Sequence, residues 1–134
     1  DIETLIATDI SSQAKKIQGF VTKLITSEKI PYVSIAVLIA DRKKRKAYET
    51  ALARLALPSG LKWGNVDSSS SNTVTLESVA RYKGLESQVI ILWGLDHLLS
   101  EDKSKNLYIG ISRAKSILAI CGQEETCKSV LNGN

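Results

Sequence analysis

An uninterrupted apolar run, residues 89–93 (VIILW), is the feature that most constrains how this chain can fold. A strand with one face in solvent alternates apolar and polar residues, whereas a strand buried on both faces is apolar at every position. Residues 32–39 (YVSIAVLI) and 117–121 (ILAIC) have a similar character. The pattern therefore predicts an α/β fold with central strands in a parallel sheet.

Segments typical of helices alternate with these strands, as an α/β fold requires. The predicted strands are residues 5–10, 32–39, 73–76, 89–93 and 117–121, and the predicted helices begin after Ser11 or Ser12, after Asp41, at Lys105 and at Glu124. Residues 61–72 are predicted to form a loop with a serine-rich tip and a short strand at 63–66. Trp63 in this loop either stacks on a base or folds back onto its own domain.

The length and composition are those of one globular domain, and they do not determine what the domain binds. The 134 residues are enough for a core of their own, and the net charge of +4 is compatible with a polyanionic partner. No apolar stretch is long enough for a membrane span and no signal peptide opens the chain, so a cytoplasmic location without a membrane partner is expected.

Cys121 and Cys127 have no histidine nearby, so we expect buried thiols and no metal site. The chain contains no methionine, which predicts that it is a piece of a longer protein.

Five consecutive cations, residues 42–46 (RKKRK), follow Asp41, which is predicted to cap a helix. Cations at a helix N-terminus oppose the helix dipole by ~0.3–1 kcal/mol each when exposed. Two interpretations are open for Arg42, Lys43 and Lys44. They contact a nucleic-acid backbone, or they form a solvated basic face.

A polar elbow, residues 81–86 (RYKGLE), precedes the central apolar run. Loops between the strands of α/β proteins are where ligand groups are found. Arg81 and Lys83 suit phosphates, Glu86 suits a sugar hydroxyl, and Gly84 permits a positive φ or a close approach. An ordinary charged turn is the alternative.

Two motifs, taken together, resemble those of UvrD/Rep-type superfamily 1 DNA helicases. Residues 78–86 (SVARYKGLE) resemble motif V, written T-x-H-x-x-K-G-L-E, and residues 107–115 (LYIGISRAK) resemble motif VI, written L-Y-V-A-x-T-R-A-K/R. They occur in the family's order, and an apolar strand follows the second. The resemblance covers residues 30–131, while the N-terminal part matches only in pattern.

The resemblance implies the second of two RecA-like domains (P-loop NTPase type), a single three-layer unit over residues 1–134, with ATP bound between this domain and the first. The first domain of the same parent chain would hold most of the ATP and its Mg²⁺. Gly84 would lie close to the phosphates, Glu86 would meet the ribose, and Arg113 would be the catalytic arginine finger. Ser78 and Arg81 match positions that contact single-stranded DNA.

Several departures from the family pattern bear on this interpretation. No G-x-x-x-x-G-K-[ST] phosphate loop occurs in the chain, and no Asp-Glu pair follows a strand convincingly. Ala80 replaces the usual histidine of motif V, Ser78 replaces threonine, and Ala40 replaces an arginine that many relatives have. The chain is therefore interpreted either as half of an ATP-driven DNA motor or as a degenerate, non-catalytic domain that binds nucleic acid or protein.

Overall fold

The computed structural model describes residues 2–68 and 72–132 as six strands, four helices and two short 3₁₀ turns. The strands are β1 (Ile2–Ile6), β2 (Ile35–Ile39), β3 (Lys62–Gly64), β4 (Thr73–Ser78), β5 (Ser87–Trp93) and β6 (Ala114–Gly122). The helices are α1 (Ile10–Thr26), α2 (Arg45–Ala53), α3 (Ser100–Arg113) and α4 (Glu124–Leu131), and the 3₁₀ turns are Tyr32–Ser34 and Pro58–Gly60. None of the described helices is long and apolar enough to cross a membrane. Residues 69–71 of the predicted serine-rich tip lie outside the described part of the chain.

The strands form one sheet in the order β1-β6-β5-β2-β4-β3, and every described pair is parallel. The two most uniformly apolar strands, β2 and β5, lie at the centre and pair with each other. All residues of β2 are buried, as are the last five of β5. The prediction of a parallel α/β sheet is confirmed.

Successive residues along the central strands face opposite layers of helices. Val37 and Ile91 pack in the same cluster as residues of α1 and α2, whereas Leu38 and Leu92 pack in a second cluster with residues of α4. Leu107 and Ile109 of α3 pack against this second cluster. The result is a three-layer arrangement, which explains why these strands lack alternation.

The boundaries of the first elements differ from the sequence prediction. The predicted strand at 5–10 is wrong in position, because β1 ends at Ile6 and α1 already begins at Ile10. The cap is Asp9, not Ser11 or Ser12: its Oδ1 accepts a hydrogen bond of 2.7 Å from the Ser12 backbone N–H. Hydrogen bonds from the backbone and the side chain of Ser12 lower the pKa of Asp9.

A polar network that is buried at Trp93 and Gln13 and reaches the surface at Gln123 joins α1 to the carboxyl ends of β5 and β6. Trp93 Nε1 donates to Gln13 Oε1 at 2.9 Å, and Gln13 Nε2 donates to Asp96 Oδ2 at 2.9 Å. Asp96 Oδ1 in turn accepts the backbone N–H of Gln123 at 2.9 Å. Trp93 also contacts Tyr48 edge-on, with the ring centroids 4.8 Å apart. The network holds the segment after β5 in place, and that segment helps to form the cleft described below.

Candidate nucleotide and nucleic-acid interface

Residues 79–86, which include the elbow, connect β4 to β5 without a helix. The connection is held to the sheet by backbone bonds, among them Val79 N–H to Ile39 O at 3.0 Å and Tyr82 N–H to Ser78 O at 3.1 Å. Val79 and Tyr82 are buried in the cluster on the α4 side, and the Tyr82 hydroxyl lies 2.6 Å from Ser87 Oγ. These anchors leave Lys83, Gly84 and Glu86 exposed.

The sheet brings Glu86 and Arg113 to the same place. Ser87 pairs with Ala114 where β5 and β6 begin. Glu86 and Arg113 each directly precede one of these paired residues, so both lie at the amino end of the sheet. Two segments that are far apart in sequence thus supply an acid and an arginine to one surface.

Arg113 is the last residue of α3, and β6 follows without a loop. The predicted helix 105–115 is therefore wrong at both ends, because α3 runs from Ser100 to Arg113. A cation is favourable at a helix C-terminus. Arg113 Nε is buried and has no hydrogen-bond partner among the described residues. Glu86 pairs instead with Lys115, whose Nζ lies 3.3 Å from Glu86 Oε1. The described residues therefore provide no internal partner that would explain the arginine.

Gly84 has a φ of 84°, and an added Cβ would meet no atom within 4 Å. Positive φ disfavours other residue types, so the turn geometry accounts for a glycine here. The space around it is open, which also permits a ligand to approach the backbone. The structure thus places Glu86 and Arg113 at the amino end of the sheet, and Gly84 in the connection two residues before Glu86.

A cleft of about 640 Å³ lies at the opposite, carboxyl end. This is the end at which open α/β sheets bind ligands, and the volume is in the range of ligand sites. One wall follows β2, the other belongs to α3, and the floor is apolar. The lining residues are Ile39, Ala40, Asp41, Arg42, Lys43, Lys44, Val79, Ala80, His97, Leu98, Leu99, Asp102, Lys105, Asn106 and Ile109. Four of them are Lys or Arg and two are Asp, so the cleft is basic.

The helix begins later in the basic run than the sequence predicted, because only Arg45 and Lys46 of residues 42–46 lie in α2. Asp41 Oδ1 accepts the Lys44 backbone N–H at 3.2 Å, which holds residues 42–44 in a turn, and α2 begins only at Arg45. Arg45 is paired with Glu49 one helical turn later, with Nε 3.5 Å from Oε2. Arg42, Lys43 and Lys44 are exposed on the cleft wall. Lys44 is the N-cap residue of α2 and its first turn contains no acid, so the expected conflict with the helix dipole remains.

Arg81 and Ser78 are more engaged within the domain than the sequence suggested. Arg81 forms an ion pair with Asp67, and its Nε lies 3.9 Å from Glu77 Oε2. The hydrogen bond and charge of Asp67 raise the pKa of Arg81. Ser78 is 4% exposed, and its Oγ accepts the Arg81 backbone N–H at 3.2 Å. Lys83 is exposed at the elbow.

The buried carboxylate of Glu77, 2% exposed, joins the loop that contains Val66 to the end of β4. Its Oε2 accepts the Val66 N–H at 3.1 Å and its Oε1 accepts the Ser78 N–H at 2.9 Å. Sequence reasoning missed Glu77, Asp67 and Lys105. Nothing in a one-dimensional pattern distinguishes them from other charged residues, because their partners and the cleft arise only from the fold.

Other sequence candidates have structural roles. Trp63 folds back, and its Nε1 donates to Leu55 O at 3.2 Å. Cys121 and Cys127 are buried free thiols, as expected, and burial raises the pKa of Cys127 to about 11. Within residues 2–68 and 72–132, no three His, Cys, Asp or Glu side chains are grouped so as to hold a metal ion.

Solved structures, rather than sequence families, show what this chain is similar to. No family model and no curated protein matches the chain significantly. Among solved structures, it is similar to the C-terminal domain of a possible DNA helicase from Lactobacillus plantarum WCFS1, with a TM-score of 0.70 and 17% identity. The likeness covers 90% of this chain and 73% of that one. At this identity it establishes a shared fold, which agrees with the predicted RecA-like α/β architecture.

Proposed function

We propose that this chain is the second RecA-like domain of an ATP-dependent DNA helicase of the UvrD/Rep type in superfamily 1. The observation that carries the proposal is the meeting of Glu86 and Arg113 at the amino end of the sheet, since the two residues come from separate motifs. The open backbone at Gly84 fits the approach of a phosphate-bearing ligand, and Arg113 Nε has no hydrogen-bond partner among the described residues. The fold of the helicase-domain neighbour supports the same interpretation.

In this proposal the first RecA-like domain binds most of the ATP and its Mg²⁺, and the present domain completes the site. Glu86 accepts a hydrogen bond from the ribose, and Arg113 stabilises charge on the γ-phosphate. An arginine supplied to a phosphoryl group in this way is worth ~10³–10⁵ in rate. Release of Glu86 from its exposed pair with Lys115 costs little, because such pairs are screened by solvent.

The carboxyl-end cleft is proposed to form part of the single-stranded DNA track. Arg42, Lys43 and Lys44 supply cations from one wall, and Lys105 supplies another from α3. The apolar floor offers a surface to an unpaired base. Nucleotide and nucleic acid thus contact opposite ends of one rigid sheet.

The 134-residue chain on its own is expected to have no ATPase activity, with or without single-stranded DNA. It contains no phosphate-loop sequence, and Arg113 alone does not bind a nucleoside triphosphate and its metal. A phosphate-release assay checks this. Turnover that copurifies with the chain and disappears in Arg113→Ala would contradict the proposal that another domain completes the site.

Replacement of Lys43 and Lys44 by glutamine should weaken binding of single-stranded DNA and make its salt dependence shallower. Each lost phosphate contact removes about 0.7 from the slope of log affinity against log salt concentration. Fluorescence anisotropy with a labelled deoxythymidine oligonucleotide measures both quantities. Lys15→Gln with Lys16→Gln is the matched control, because it removes two adjacent exposed cations from α1, outside the cleft. Equal effects of the two double variants would identify residues 42–44 as an ordinary basic surface.

A degenerate adaptor domain is the second candidate. Ala40 is 8% exposed and Ala80 has no functional group, while Arg81 is already paired with two acids. These features favour a domain with a reduced grip on DNA. If the full-length parent contains a phosphate loop and hydrolyses ATP, the motor domain is the correct candidate and the adaptor domain is not.

A further inference from the structure

The carboxylate of Asp67 binds the guanidinium of Arg81 at a position that faces the solvent. The side chain of Arg81 is 49% exposed and that of Asp67 is 66% exposed. Arg81 directly follows Val79 and Ala80, which line the carboxyl-end cleft. A carboxylate and a phosphate oxygen both bind guanidinium by charge-assisted hydrogen bonds, so Asp67 takes the position on Arg81 that a nucleic-acid phosphate would need.

The loop that carries Asp67 does not depend on this pair for its anchorage. The backbone N–H of Val66 is bound by buried Glu77, and the backbone N–H of Asp67 is bound by Asn65 Oδ1 at 2.9 Å. Glu77 also supplies a second negative charge to Arg81, at 3.9 Å from Nε. Arg81 therefore keeps a buried counter-charge when Asp67 leaves, whereas with both acids in place the local charge repels a phosphate.

We propose that Asp67 is an autoinhibitory competitor of the nucleic-acid backbone, which occupies Arg81 in the free protein and is displaced when a single strand binds. The inference rests on the proposed function, because it takes single-stranded DNA as the ligand of the cleft. An exposed ion pair is weak and screened by salt, so a phosphate held by the neighbouring cations can replace it. The domain thereby favours ligands that also engage the rest of the cleft over isolated anions.

The test is Asp67→Asn in the 134-residue chain, with anisotropy of a short labelled deoxythymidine oligonucleotide across a salt series. We expect binding about three- to fivefold tighter at low salt, from the strength of exposed pairs. The slope of log affinity against log salt concentration should change little, because Arg81 contacts a phosphate in both complexes and only the cost of displacing Asp67 is removed. Thermal melting should change little, since the loop keeps its backbone anchors.

Glu124→Gln is the matched control. It makes the same charge change and frees Lys128 from an exposed pair of 3.4 Å on α4, away from the cleft. An equal gain in this control would reduce the effect to net charge and overturn the inference. A marked drop in the melting temperature of Asp67→Asn, without a gain in affinity, would identify a structural clip and also overturn it.

Two outcomes separate this inference from the proposed function. If the wild-type chain binds the oligonucleotide and Lys43→Gln with Lys44→Gln weakens this binding, but Asp67→Asn leaves the affinity unchanged, only the competitor role fails. If neither the wild-type chain nor Asp67→Asn binds, the competitor role and the proposed nucleic-acid track fail together.

Discussion

Arg113→Ala in the full-length parent should lower ATP turnover by about 10²-fold or more, while folding and DNA binding remain nearly intact. Loss of a group that stabilises transition-state charge has an effect of this size. The structure excludes the simplest alternative among the described residues, an ion pair of Arg113 with Glu86 or Asp102: Glu86 pairs with Lys115, and Arg113 Nε has no partner. Steady-state ATPase kinetics and the melting temperature measure the two effects separately.

Arg113→Lys should restore little of the lost turnover, because an ammonium cannot reproduce the planar, bidentate guanidinium. Arg54→Ala serves as the control, since it removes another arginine from an exposed position after α2. A variant Arg113→Ala that melts several degrees lower and keeps wild-type turnover would show that Arg113 is structural. The assignment of motif VI would then be lost, and most of the proposed function with it.

Trp93→Ala should destabilise the chain by about 3–5 kcal/mol, as expected for truncation of a large buried side chain. Trp93 is fully buried between the sheet and α1, contacts Tyr48, and donates to Gln13. Its loss opens a cavity and leaves Gln13 Oε1 without this donor. Denaturant unfolding gives the change in free energy.

Trp93→Phe separates the two contributions. It keeps most of the ring volume but removes the indole N–H, so the smaller cost of about 1–3 kcal/mol for an unsatisfied buried acceptor should remain. Similar stabilities of the phenylalanine and wild-type chains would mean that the hydrogen bond to Gln13 contributes little. Similar stabilities of the alanine and wild-type chains would contradict the packing seen around β5.

The buried strands and the closing helix could be predicted from the sequence because their signals are local. Residues 89–93 lie within β5, since an apolar residue at every position requires helices on both faces. The strand predicted at 32–39 is correct only over residues 35–39, which form β2, because residues 32–34 form a 3₁₀ turn. The helix 124–131 has the predicted bounds. Boundaries set by single hydrogen bonds were predicted less well. Asp9 begins α1 early and Asp41 delays α2, and neighbouring serines or cations gave no indication of which residue would act as the cap.

The candidate site also has features that the sequence predicts and features that only the fold decides. The sequence alone singled out Gly84, Glu86 and Arg113 through their motifs, but only the parallel register of β5 with β6 places Glu86 beside Arg113. The charge available to a ligand was decided by the tertiary structure, which leaves Lys83 exposed and pairs Arg81 with Asp67 and Glu77. The physical reason is the sequence separation of the interacting residues. The pattern of burial is encoded within each segment, whereas the partner of a charged side chain comes from segments that meet only after the sheet has formed.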